Sequence, residues 1–188
     1  MRIIAGRAGG RRLHAPPEGT RPTTDRVREA LFSSLDAHVR AGQGGWDRVR
    51  VLDLFAGSGA VGLEALSRGA AAATLVERDR RCLEVLRRNV ATVDPAAHVV
   101  AADALAWVPV GGPYDIAYVD PPYALSDDAV HDLLARLVAA AALADGALVV
   151  VERSRRSGEP WPVSGGIAPL RKRDYGDTSL WYGLVSPE

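Results

Sequence analysis

One cysteine in 188 residues, Cys82, excludes an internal disulfide framework. It falls in the helical pattern Arg81-Cys82-Leu83-Glu84-Val85-Leu86-Arg87-Arg88-Asn89 and reads as a packing residue. The four histidines, at positions 14, 38, 98 and 131, are scattered, and none has a Cys, His or acid at ligand spacing, so no metal is expected. No apolar run reaches the roughly 18 residues of a membrane span, because Arg136 and Asp145 interrupt the Ala- and Leu-rich stretch. The opening has no signal-peptide layout, since its first apolar pair gives way at once to Gly6-Arg7-Ala8-Gly9-Gly10-Arg11-Arg12. A cytoplasmic location without membrane contact is expected. Internal repeats are absent. Ser58 lies in a glycine turn without the G-x-S-x-G layout of a serine hydrolase.

What is present centres on Asp120-Pro121-Pro122-Tyr123. An exocyclic amine of a nucleobase is a poor nucleophile because its lone pair is delocalised into the ring. An Asp120 carboxylate oxygen and the Pro121 carbonyl can accept its two N–H bonds and favour a pyramidal nitrogen as charge develops. The prolines hold φ near about −65° and stiffen those acceptors. Tyr123 offers a ring on which an unstacked base can lie. The preceding run Tyr114-Asp115-Ile116-Ala117-Tyr118-Val119 reads as a buried strand, which puts the motif at a strand's carboxyl end, where open α/β sheets bind ligands.

A second signal lies upstream. Val51-Leu52-Asp53-Leu54-Phe55 reads as a strand, followed by a glycine turn and the helix Leu63-Glu64-Ala65-Leu66-Ser67-Arg68. Gly57, Gly59 and Gly62 match G-x-G-x-x-G, in which missing Cβ atoms let a ligand approach the backbone at a helix N-terminus. The pattern alone fits a dinucleotide as well as S-adenosylmethionine. The next strand, Ala73-Thr74-Leu75-Val76, ends at Glu77, 20 residues beyond Gly57, the spacing of an acid that grips both ribose hydroxyls. A third apolar stretch, His98 to Ala102, ends at Asp103, placed to accept from an adenine amino group.

Asp53-Leu54-Phe55-Ala56-Gly57-Ser58-Gly59, Glu77, Asp103 and the Asp-Pro-Pro-Tyr motif resemble, in order and spacing, the motif series of the class I S-adenosylmethionine-dependent methyltransferases. The whole chain resembles the bacterial 16S ribosomal RNA guanine-N2 methyltransferases, the RsmD family. Arg2-Ile3-Ile4-Ala5-Gly6, the segment from Arg21 to Phe32 and Tyr175-Gly176-Asp177-Thr178 match it, whereas Arg153 to Gly166 is less family-like. The resemblance implies an S-adenosylmethionine donor held by Asp53, Phe55, Gly57, Gly59, Glu77 and Asp103. It also implies methylation of one guanine N2 by Asp120, Pro121 and Tyr123, in 16S ribosomal RNA of an assembled or assembling small subunit. A monomer is expected. Two rival readings are an adenine-N6 methyltransferase and, more distantly, a nucleotide-binding oxidoreductase, which leaves Asp120-Pro121-Pro122-Tyr123 idle.

Zero net charge conceals an asymmetry. Residues 1–50 carry ten Arg and five acids, residues 51–152 seven Arg and fourteen acids, and residues 153–173 five Arg, one Lys and one acid. Basic charge outside the cofactor core suits a phosphate backbone. Arg7, Arg11 and Arg12 in the opening, and Arg26 on the helix that follows, are the candidate RNA contacts.

The fold expected is α/β: a Rossmann-like, doubly wound, mostly parallel seven-stranded sheet whose last strand runs antiparallel. Residues 1–45 form a basic extension, with a β-hairpin to about Leu13, a loop from Pro16 to Pro22, a helix from Thr23 to Val39, and a linker from Gly42. Residues 46–188 form the methyltransferase domain. Its pattern alternates strand and helix, with a helix from Asp127 to Ala142, a strand over Ala147 to Val151, and two tail strands around Tyr175-Gly176-Asp177.

Overall fold

The computed structural model describes residues 1–15, 25–42 and 44–187. The expected loop from Pro16 to Pro22 and the Thr23 helix start lie outside the described residues.

Seven strands form one sheet: β1 (Arg50–Leu54), β2 (Ala72–Glu77), β3 (His98–Ala101), β4 (Tyr114–Val119), β5 (Leu143–Ser154), β6 (Ile167–Tyr175) and β7 (Thr178–Val185). Their order is β3-β2-β1-β4-β5-β7-β6. The first five are parallel, and β7 runs antiparallel to both β5 and β6. Parallel neighbours need crossovers. These are α2 (Ala60–Ser67) between β1 and β2, α3 (Arg80–Val93) between β2 and β3, and α4 (Asp127–Ala139) between β4 and β5. The expected architecture is therefore present.

The central strands are apolar on both faces because both are covered. Val51, Ile116, Tyr118, Leu148 and Val150 pack in one cluster with α2, α3 and α1 (Asp25–Gly42). Leu52, Leu54, Ala117, Val119, Val149 and Val151 pack in the other with Val130, Leu133, Leu134 and Leu137 of α4. Local signals set the helix starts: the Asp79 carboxylate accepts from the N–H groups of Arg81 and Cys82, and the Ser126 hydroxyl from that of Ala129.

Several boundaries differ from expectation. α4 stops at Ala139 because Ala141 turns to φ +48°. β5 starts before Gly146, a glycine at φ +70°, and continues past Val151 because Glu152 and Arg153 are buried with partners. α1 extends to Gly42, into the expected linker.

The opening residues do pair with one another. Ile3 and Leu13 donate to the carbonyls of Arg11 and Met1, and Gly10 to that of Ile3, around one antiparallel bridge between Arg2 and Arg12. Ile3, Ala8 and Leu13 are buried in the same cluster as α1, α2 and α3. Two α2 side chains fasten the hairpin. The fully buried Glu64 carboxylate accepts from Ile4 N (2.6 Å), Ala5 N (3.0 Å) and Arg68 Nε (2.9 Å), and Ser67 Oγ accepts from Ala8 N and donates to Ala5 O.

Candidate active site

The donor side is built on the turn from β1 into α2. Phe55 takes φ +62°, a rare backbone state for a bulky residue, and Gly57 and Gly59 follow at +55° and +79°. The two glycines serve different ends. A Cβ on Gly59 would meet Leu86 Cδ1 at 2.4 Å, so this residue lets α2 close on β2 and α3. A Cβ on Gly57 would find only the Phe55 carbonyl oxygen, at 4.0 Å, so open space lies over the turn. A side chain there would occupy the space into which a ligand fits, which suits the turn for a nucleoside-bearing cofactor.

Three acids frame that space. Glu77, buried at the end of β2, accepts from Gly57 N through Oε2 (2.8 Å) and from Arg78 N and Asp79 N through Oε1 (2.8 and 2.7 Å). Asp53 is buried beneath the turn, and its Oδ2 accepts from Gly62 N at 2.9 Å. Burial pushes its carboxyl up to about 7; the Gly62 N–H opposes the shift and the Glu77 charge adds to it. Asp103, just past β3, is held below the usual carboxylate range, first by the Leu105 N–H on Oδ1 (3.0 Å) and further by Arg78 on Oδ2 (2.8 Å).

The acceptor side adjoins it. β4 lies beside β1 in the sheet, and Asp120 N donates to Leu54 O at 3.3 Å, so Asp120 stands next to the residue that opens the glycine turn. Pro121 is buried, while Tyr123 is 45% exposed with its hydroxyl 3.1 Å from Thr178 Oγ1. Its ring is thus presented to solvent on a tethered side chain. Asp53, Phe55, Gly57, Gly59, Glu77, Asp103, Asp120, Pro121 and Tyr123 all gather at the carboxyl ends of the parallel strands.

The arginines of the opening do not join them. Arg7 forms an ion pair with Asp94, and Arg11 donates to the Thr92 carbonyl. Both partners lie at the far end of α3, whose 14 residues amount to roughly 21 Å of helix from the Glu77 rim. Arg12 and Arg26 are exposed.

Two site-building residues escaped the sequence reading. The buried Arg153 donates through Nη2 to Leu125 O (2.7 Å) and Asp127 Oδ1 (2.8 Å), clamping the loop that follows Asp120-Pro121-Pro122-Tyr123. Its signal was an arginine directly after an apolar strand. Asn89, fully buried on α3, donates through Nδ2 to Ser58 O (2.9 Å) and His14 O (3.1 Å) and accepts from His14 N (2.8 Å). An asparagine on the apolar stripe of an amphipathic helix was its signal.

The sheet order, the antiparallel β7 and the glycine turn define a class I methyltransferase fold. The chain belongs to the RsmD family: a family model described as "Conserved hypothetical protein 95" matches residues 1–183. It is 43% identical over 163 residues to ribosomal RNA small subunit methyltransferase D of Escherichia coli (strain K12), covering 85% of this chain and 78% of that protein. It is 33% identical to YlbH of Bacillus subtilis (strain 168) over 187 residues, 96% of each chain. The solved structure of Escherichia coli yhhF superposes with a TM-score of 0.82 at 38% identity, over 100% of this chain and 99% of that one. An RNA methyltransferase from Salinibacter ruber in complex with S-adenosyl-L-homocysteine shares the fold, with a TM-score of 0.61 at 18% identity over 89% and 95% of the chains.

Proposed function

We propose that this protein transfers a methyl group from S-adenosylmethionine to the exocyclic N2 of a guanine in 16S ribosomal RNA. The observation that carries the reading is the placement of Asp120 against the Leu54 carbonyl, which sets an amine-binding motif beside a glycine turn with open space above it. Membership of the RsmD family and 43% identity to a relative named for small-subunit ribosomal RNA methylation support the substrate class. An assembled or assembling small subunit, in the cytoplasm, is the natural source of that RNA.

Glu77, whose Oε2 keeps one free acceptor position, would hold a ribose hydroxyl, Asp103 the adenine amine and Asp53 the ammonium end of the donor, with Phe55, Gly57 and Gly59 shaping the floor. The donor supplies a methyl on a sulfonium, whose C–S bond breaks as the N–C bond forms. Asp120 and the Pro121 carbonyl accept the two amine N–H bonds and orient the nitrogen lone pair. Tyr123, fixed through Thr178, stacks on the extruded base. After transfer the surplus proton leaves the nitrogen for Asp120 or water, so a strong base is not needed. Positioning of the two reactants provides much of the acceleration.

Purified protein, radiolabelled S-adenosylmethionine and small subunits from cells lacking the gene test the reading. The labelled product expected on nucleoside digestion is N2-methylguanine. Labelled N6-methyladenine would overturn the substrate while sparing the fold.

A further inference from the structure

On the rRNA reading above, we propose that the acceptor-side edge of the sheet, made by β6 and the turn after β5, is the surface that grips the RNA phosphate backbone. β6 is the edge strand of the sheet and is exposed from Ala168 to Asp174. It carries Arg171, Lys172 and Arg173, and the neighbouring turn carries Arg155 and Arg156, all exposed. Arg155 N donates to Asp177 O at 2.8 Å, which joins that turn to the β6–β7 turn.

The cations are arranged rather than merely present. Arg171 lies over the Tyr182 ring at 4.5 Å and Lys172 over the Trp181 ring at 4.6 Å. Asp174 stands 3.5 Å from both Arg155 and Lys172 and holds them on the Trp181 face of the strand, while Arg171 and Arg173, paired with Tyr182 and Leu180, lie on the other, so the edge is cationic on both sides. Arg156 and Arg173 form no ion pair among the described residues and are left to meet an outside anion.

Position links this strip to the chemistry. Thr178, which tethers the Tyr123 hydroxyl, is the β7 residue paired with Tyr175, and Arg173 lies only two residues back, roughly 7 Å of strand. A base stacked on Tyr123 would therefore bring its backbone alongside Arg173, with the other cations flanking it along the edge. Charge on an edge strand also prevents edge-to-edge pairing. That role accounts for β6 but not for Arg155 and Arg156 in a separate turn on the same rim. The opening hairpin, where Arg7 pairs with Asp94 and Arg11 with the Thr92 carbonyl, stands about the length of α3 from the Glu77 rim.

The test is a salt series of binding to 16S rRNA transcript and to purified small subunits, with the double variant Arg156→Gln/Arg173→Gln. Each lost phosphate contact lowers the slope of log K against log [salt] by about one, so a fall of about two is expected, with affinity at least about tenfold weaker at low salt. S-adenosylhomocysteine binding and the melting temperature should match wild type. The charge-keeping pair Arg156→Lys/Arg173→Lys should retain the wild-type slope, which separates charge from folding. An unchanged slope in the Gln variant overturns the proposal. So does weakening confined to small subunits with free RNA unaffected, since the strip would then meet a ribosomal protein. If wild type itself methylates no rRNA, the proposed function fails rather than this surface.

Discussion

The main-chain N–H of Gly57 donates to Oε2 of Glu77 at 2.8 Å, so the glycine turn and the end of β2 are one mechanical unit. The spacing of 20 residues from which a ribose contact is proposed for Glu77 is the same spacing that brings it to the turn. A carboxylate oxygen has lone pairs for both tasks.

Glu77→Ala should therefore weaken S-adenosylhomocysteine binding by about 1.5–3 kcal/mol, the range for hydrogen bonds to a charged group. It should also lower the melting temperature, because Gly57, Arg78 and Asp79 lose their acceptor. Calorimetric titration beside thermal unfolding separates the two effects. A fall in stability with unchanged affinity would confine Glu77 to supporting the turn.

On the proposed mechanism, in which Asp120 holds the acceptor amine, Asp120→Ala should abolish methyl transfer and leave S-adenosylhomocysteine affinity near wild type. Titration and a methyl-transfer assay on one preparation check this. Turnover within a few fold of wild type would remove Asp120 from the mechanism.

Asp53 should make donor binding depend on pH. Its folded-state value, about 7, lies above the ordinary 3.8, so the folded protein takes up a proton that the unfolded chain does not. Stability from this group is thus gained as pH falls from about 7 towards about 4, and given up as pH rises through that window. An ammonium next to Asp53 needs the ionised form, so S-adenosylhomocysteine should bind more tightly at pH 8 than at pH 6. Asp53→Asn should remove that difference and be more stable relative to wild type at pH 8 than at pH 5. Equal pH slopes for the two proteins would show that Asp53 does not meet the donor.

Gly6→Ala should destabilise the protein although it lies far from the catalytic rim. Gly6 sits at φ +81°, and a Cβ there would fall 1.9 Å from the Ser67 carbonyl oxygen. The positive φ alone costs on the order of 1–3 kcal/mol, and shifting the backbone adds to it. A fall of several degrees in melting temperature is expected for a domain of this size. A wild-type melting curve would mean that the hairpin is only loosely attached.

Much of this was legible in the sequence because the central strands are buried on both faces. Val51 to Leu54, Tyr114 to Val119 and Leu148 to Val151 stand out as apolar runs, and the acids Glu77 and Asp120 mark where two strands end. The rest depended on partners distant in the chain. Glu64 in an apolar helix looks like a solvent-facing residue until Ile4 and Ala5, about sixty positions earlier, arrive with two backbone N–H groups. Asn89 depends in the same way on His14, 75 positions away. Arg153 falls two residues beyond the expected strand end at Val151, but the Leu125 carbonyl and the Asp127 carboxylate let a cation stay inside. The RNA contacts expected of Arg7 and Arg11 rested on basic charge in a Gly-rich opening; that each also meets Asp94 or the Thr92 carbonyl, some eighty or more positions later, was not legible there.

The place of β7 between β5 and β6 has a consequence for how the molecule comes into being. β6 has β7 as its one neighbour in the sheet, yet β7 follows it in the chain. During synthesis β6 emerges before its native partner strand, while β1, β2, β4, β5 and the glycine turn are already made. A chain ending before Thr178 would have its glycine turn but neither the tether for Tyr123 nor the strand on which β6 is seated. Maturation of the two half-sites is thus staggered along the reading frame.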